Sequence, residues 1–265
     1  MDIITHSLSG IAVGTVLAAY SNKNFSDKVF VVLLSGFGGL IPDFDAISLW
    51  SGFDQTFGSW FGLNNSGKEI YYSKFWYSHH GFLHSLLAAF LLTVVVLSII
   101  RVTGLKKYTG FRYAIIENRL PLLGFLLGFI LHLLGDMITP ACVWGGVNFL
   151  WPSENYTGGS GQVWWWNNYD IFLIILSVIS INILIILLKK PLKNMSFKIA
   201  SIVFILGFIL CNYQINTRRF KYNYIGQTAE YQKFEKQSLD EQREILGERL
   251  FRTVNNFDKK LKINF

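Results

Sequence analysis

The sequence predicts an all-α, polytopic membrane bundle of about six segments with a polar helical tail, and three observations carry that expectation. Of 265 residues, 51% are hydrophobic and only 15% charged, against about 25% charged in a soluble domain. Mean hydropathy is +0.35. Several apolar runs are long enough to cross about 30 Å of hydrocarbon at about 1.5 Å per residue. The connecting loops segregate Lys and Arg to one side, as cytoplasmic loops do.

The first segment is residues 3–20; Asp2 stands where a cleavable signal would have a basic residue, so this stretch reads as a retained span. Residues 28–42 form a second, partial or tilted span, rich in Gly36, Gly38 and Gly39 and ending at Pro42. A third begins near His79 and runs through the apolar stretch 86–100 to Arg101. Residues 120–138, 170–188 and 197–215 complete the set, giving a membrane domain over 1–217. The tail, 218–265, alternates charges as a solvated helix does, and Ser238 with Glu241 fits a capping box.

Charge fixes orientation. Arg101, Lys106, Lys107, Arg112 and Arg119 mark one cytoplasmic loop, and Lys189, Lys190, Lys193 and Lys198 another. Residues 139–169 lack Lys and Arg and carry Trp144, Trp151 and Trp164–Trp166, which reads as an outer loop with an interfacial aromatic belt. Parity then puts 43–78 and the tail outside, although Arg218, Arg219 and Lys221 pull the other way. The net charge of +7 is thus a matter of topology. No basic stripe of the kind that binds nucleic acid accompanies it.

All five histidines fall at the outer segment ends: His6, then His79, His80 and His84, then His132. Asp43, Asp45, Asp136 and Asp170 fall at the same depth. Ionisable groups at the edge of hydrocarbon need partners or an ion. Asp2/His6, His80/His84 and His132/Asp136 are i,i+4 pairs, neighbours on a helix face. Histidine with carboxylate suits Zn²⁺, Mn²⁺ or Fe²⁺; Cys142 and Cys211, far apart, form no thiolate site. The expected centre holds one or two divalent ions on His6, Asp45, His84, His132 and Asp136, with Asp43 orienting a ligand or acting as base. Asp170 reads equally as a helix cap. Asp2, His6, Gly10 and Gly14 repeat every four residues, as do Gly124, Gly128, His132 and Asp136. Small residues at this spacing let membrane helices approach closely. The first and fourth segments are therefore expected to cross through these faces, bringing His6 to His132 and Asp136.

With these residues in view, the sequence resembles the YdjM-type family of LexA-regulated, membrane-bound metal-dependent hydrolases. Met1 to Gly10 is similar to its MDxxTHxxxG start, and Pro42-Asp43-Phe44-Asp45 to its PDxD element. His79 to Leu86 resembles HRGxTHSL, with His80 for Arg and Leu83 for Thr. His132 to Thr139 resembles HxxLDxxT, with Gly135 for Leu, and Gly146 to Pro152 is similar to GxxxLxP. Asp170 stands where the family has an Asp before its next span, and the likeness covers roughly residues 1–175. It implies metal ligation by His6, Asp43, Asp45, His79, His84, His132 and Asp136. More remotely, the order of these residues is similar to that of zinc-dependent phospholipases C and single-strand nucleases, which implies phosphate-ester chemistry.

The resulting expectation is an inner-membrane hydrolase with its site on the outer face. Metal-activated water attacks a phosphoester of a lipid or lipid-linked substrate, and Asp43 and Asp136 serve as catalytic residues. Two other readings use the same residues: an ion-handling or transport protein, whose site would lie near the midplane, and a scaffold with a structural metal.

Overall fold

A computed structural model describes residues 2–103, 110–188 and 195–261. Among these it contains helices and no strands. Helix α1 spans Ile3–Tyr20, α2 Phe25–Leu40, α3 Gly67–Tyr71, α4 Leu86–Val102, α5 Phe111–Met137, α6 Tyr169–Leu187, α7 Met195–Asn216 and α8 Tyr231–Leu261. Tight 3₁₀ turns over Ile41–Leu49 and Phe82–His84 interrupt the regular helices. Five stretches are long and apolar enough to cross a membrane: α1, α2 continued to Leu49, α5, α6 and α7. Helix α4, shorter at 17 residues, is the sixth apolar segment.

Local chemistry sets the helix ends. Asp2 caps α1 by accepting from the Thr5 amide at 2.8 Å, so its carboxylate is engaged in the cap. Asn24 caps α2 through the Asp27 amide, and Ser85 caps α4 through the Ala88 amide at 3.0 Å. That last cap corrects one expectation. The third apolar segment begins at Leu86 and not near His79, because Ser85 starts the helix. Residues 79–84 therefore form a turn, with His80 at φ +62°, and His80 and His84 do not share a helix face. Pro121 inside α5 leaves the Glu117 carbonyl without its usual amide donor. Lys23 Nζ donates to that carbonyl at 2.8 Å, tying the α1–α2 connection to α5.

The glycine ridges meet α2 and not each other. A Cβ on Gly10 would collide with the Ser35 carbonyl, and so would one on Gly128. A Cβ on Gly124 would collide with the Ser35 hydroxyl. Gly38 and Gly39 in turn abut the backbones of Phe125 and His6. Helix α2 thus packs closely on both α1 and α5, which also touch each other, and the two ridges converge on its Ser35. His6 still reaches His132 and Asp136, as expected, but across one end of this three-helix seam. GFGGL at 36–40 is accordingly a packing device.

The tail is docked rather than freely solvated. Helix α8 starts at Tyr231, so Ser238 lies inside it, buried, and is no N-cap. Glu241 instead accepts from the Arg219 amide at 2.6 Å. Glu235 accepts from the indole N–H groups of Trp164 and Trp166 and from the Asn167 amide. Arg218 pairs with Asp170 at 2.7 Å, both side chains 3% exposed. Arg218 therefore answers buried acids, whereas the side chain of Arg219 pairs with Glu244 at the surface. Asp170 belongs to this clamp; helix α6 begins one residue before it, after Asn168. Trp164 is wholly buried and Trp144 nearly so, which removes both from the expected aromatic belt. Lys106, Lys107, Lys189, Lys190 and Lys193 lie outside the described residues.

Two outcomes test this packing. Gly128→Ala should lower stability by about 1–3 kcal/mol through overpacking, read as a fall in the thermal midpoint of detergent-solubilised protein. Gly58→Ala, whose new Cβ would meet its nearest neighbour at an ordinary 3.4 Å, should leave the midpoint unchanged. Arg218→Ala should strand the Asp170 charge at a cost of about 3–5 kcal/mol. Limited proteolysis should then release the tail, and Asp170→Asn in the same chain should restore much of the protection.

Candidate metal centre

Four donors, drawn from the turns after α2 and before α4 and from the end of α5, converge at one end of the seam. Asp43 comes from the turn after α2, His84 from the turn before α4, and His132 and Asp136 from the last turns of α5. One donor atom from each lies within 4.8 Å of the others. His132 Nε2 is 2.9 Å from Asp136 Oδ2, 3.3 Å from His84 Nε2 and 3.6 Å from Asp43 Oδ1. His84 Nε2 is 3.5 Å from Asp136 Oδ2 and 3.7 Å from Asp43 Oδ1. Bonds of about 2.0–2.2 Å in a tetrahedral shell place neighbouring donors about 3.3–3.5 Å apart. The observed separations scatter around that edge length. Both histidines are fully buried, and two imidazole nitrogens face each other across the centre. The group is therefore able to hold a metal ion, and its nitrogen and carboxylate donors fit a divalent one.

Neighbouring groups fix the ligand rings. His132 Nδ1 donates to the Gly39 carbonyl at 2.8 Å, which leaves Nε2 with its lone pair toward the centre. His84 Nδ1 lies 3.1 Å from Asp45 Oδ2, an ion-pair contact behind the ring. Asp45 also accepts from His79 Nδ1 at 2.6 Å. His6 Nε2 donates to Asp136 Oδ1 at 2.9 Å, and its ring stacks on His132 at 3.8 Å between centroids. The seven expected ligands thus divide. Asp43, His84, His132 and Asp136 supply the converging atoms, while His6, Asp45 and His79 stand behind them.

His79 and His80 occupy an aromatic box. His79 stacks on Tyr71 at 4.5 Å, and both histidine rings rest against Trp144. His80 Nδ1 donates to the Gly146 carbonyl at 2.9 Å. Burial, with the neighbouring charges of His79 and His84, holds the His80 pKa well below its ordinary value. At His84 burial also disfavours charge, but Asp45, Asp136 and Asp43 outweigh it and push the pKa well up. His79, His80 and His84 form a second close group. His84 is common to both groups, with its Nε2 facing Asp43, His132 and Asp136. Asp2 and Asp170 take no part in either. The supporting roles of Gly39, Gly146, Tyr71 and Trp144 lie beyond sequence reasoning; a backbone carbonyl or a buried ring gives no signal there.

The pattern of the YdjM inner membrane protein family matches residues 1–218. The chain belongs to that family. Membership and the spanning helices make it an inner membrane protein. The match reaches past the likeness read from the motifs and stops at Arg218, so α8 lies beyond it. No curated protein and no solved structure matches the chain.

Zinc titration against a chromophoric chelator separates donors from supporting groups. His132→Ala and Asp136→Ala should abolish high-affinity binding. Asp45→Asn, which keeps every converging donor, should weaken it by about 10–100-fold.

Proposed function

We propose that this YdjM-family protein is a metal-dependent hydrolase that cleaves a phosphoester of a lipid or lipid-linked substrate at the outer face of the inner membrane. The observation that carries the reading is the division of labour at the buried centre. His84, His132 and Asp136 are its enclosed donors, and Asp43 is its most accessible group, with 13% of its side chain exposed. Catalytic centres keep three protein ligands and one open position, and the accessible side is where substrate and water arrive. His84, His132 and Asp136 would hold a divalent ion, Zn²⁺ before Mn²⁺ or Fe²⁺, with Asp43 on the open side. When bound, such an ion supplies Lewis acidity and lowers the pKa of water.

The chain's own residues do the rest. Asp43 takes the proton of the attacking water as its oxygen bonds to phosphorus. The ester P–O bond breaks, and the proton passes from Asp43 to the departing alcohol. His6 holds Asp136 and Asp45 holds His84, so the donors stay fixed while Asp43 exchanges its proton. The depth of the centre, at the ends of spanning helices, favours a substrate anchored in the bilayer. A transport reading has less support, because the cluster sits at one end and not near the midplane.

The test is metal content by mass spectrometry, with turnover measured on phosphatidylglycerol and on isoprenoid phosphates. Wild type should carry about one equivalent and hydrolyse at least one probe. Asp43→Asn should retain metal yet lose about 10²–10⁴-fold in rate, and His132→Ala should lose both. Metal without turnover on any lipid phosphoester would leave a structural ion, and no metal at all would overturn the reading.

A further inference from the structure

Residues 41–83, between α2 and α4, enclose a groove of about 420 Å³ that opens away from the bundle. Phe53 and Ile70, both buried, form its floor, and Ile47, Phe61, Trp76 and Tyr77 form an exposed rim. Its one carboxylate among the lining residues, Asp45, turns its two oxygens toward His79 and His84. The wall facing the groove is therefore apolar, while the opposite side of the same residue supports the metal centre. Leu83 and Phe82, next in chain to His84, close the other wall.

We infer that this groove seats a single hydrocarbon chain of the membrane-lipid substrate, placing the headgroup ester beside Asp43. The inference rests on the hydrolase reading and adds which part of the substrate is recognised, and where. Three observations select the occupant. The groove is built by the chain that joins two apolar segments, α2 and α4, and is lined almost entirely by apolar and aromatic side chains. Its rim leaves Phe61 72% and Trp76 61% exposed, a cost in water that a lipid chain removes. Its size excludes a partner helix, since a helix about 10–12 Å across would fill it within about one turn. A chain is thin enough to enter and has no polar backbone to satisfy.

The test uses protein in nanodiscs of phosphatidylethanolamine and phosphatidylglycerol, with a small fraction of phosphatidylglycerol carrying a diazirine on one chain. Photolabel is mapped by peptide mass spectrometry, and metal content is measured on the same samples. Labels should concentrate in 44–61 and 76–83. Ile47→Trp, which fills the groove, should lower them about tenfold, the equivalent of two buried methylenes, with metal retained. Ile47→Phe should give an intermediate loss. Leu49→Trp, an exposed neighbour outside the lining, should change nothing. Labels confined to the flanks of the spanning helices, or unaffected by both Ile47 variants, would overturn the inference even with metal present. Concentrated, Ile47-sensitive labels on a chain without metal would keep the groove and overturn the metal reading instead.

Discussion

Close approach of three backbones around Ser35 is the constraint on which the His/Asp end of this molecule depends. Gly10 and Gly14 of α1, and Gly124 and Gly128 of α5, remove the side chains that would hold α2 away. In a bilayer, lipid competes equally for any apolar side chain, so helix association relies on close contact of this kind. Its consequence is directional. Helix α2 packs against the other two closely enough for the Gly39 carbonyl to accept from His132, while the Gly39 Cα side lies against the His6 backbone. The chain beyond Gly39 is thereby delivered to the end of the seam where His6 and His132 stack, and it carries Pro42, Asp43 and Asp45 there.

The second constraint is electrostatic. Five imidazoles and three carboxylates sit at one end of the bundle with little exposure to water, an arrangement costly for each group alone. Each carboxylate answers more than one ring: Asp45 serves His79 and His84, and Asp136 serves His6 and His132. Asp43 stands farther off, 3.6–3.7 Å from the converging nitrogens of His132 and His84. On the proposed reading, that difference separates groups that hold geometry from the group that exchanges a proton. The tail clamp repeats the logic on a smaller scale, with Arg218 answering Asp170 and indole and amide N–H groups answering Glu235.

How far the sequence could be read depends on the range of each interaction. Hydropathy is a local sum, so the segments were legible, although the helix expected from 120 begins at Phe111 and the one expected from near His79 begins at Leu86; the shared end of His6, His84, His132 and Asp136 came from parity alone. Spacing within one helix was legible too, as with His132 and Asp136. The partner that one helix meets on another was not. Both glycine ridges were visible, yet nothing in either says that its partner is Ser35 on a third helix. Capping signals failed in the same way. Ser238 and Glu241 have the spacing of a box, but a helix already under way from Tyr231 has no free amides there to cap, and Glu241 turns to the Arg219 amide. The turns of 41–85 were the least legible, because 3₁₀ geometry and a left-handed His80 depend on contacts made by Gly146 and Trp144, more than sixty residues away.

The same turns carry the functional consequence. Had Asp43, His79 and His84 been set on regular helices, their spacing would have been fixed by the helix repeat, and helix ends would have been held apart by their diameters. Irregular backbone is tolerated at membrane depth only where protein or water satisfies it. Here Gly81 donates to Ser78, Phe82 to Trp76 and Leu86 to Phe149 through their amides. The segment that escapes helical regularity thus brings Asp43 and His84 onto the end of α5, and its outer surface becomes an apolar groove. One stretch of chain builds one wall of the centre and the floor of the groove beside it, so a lipid chain seated in the groove, as proposed, would lie next to the centre.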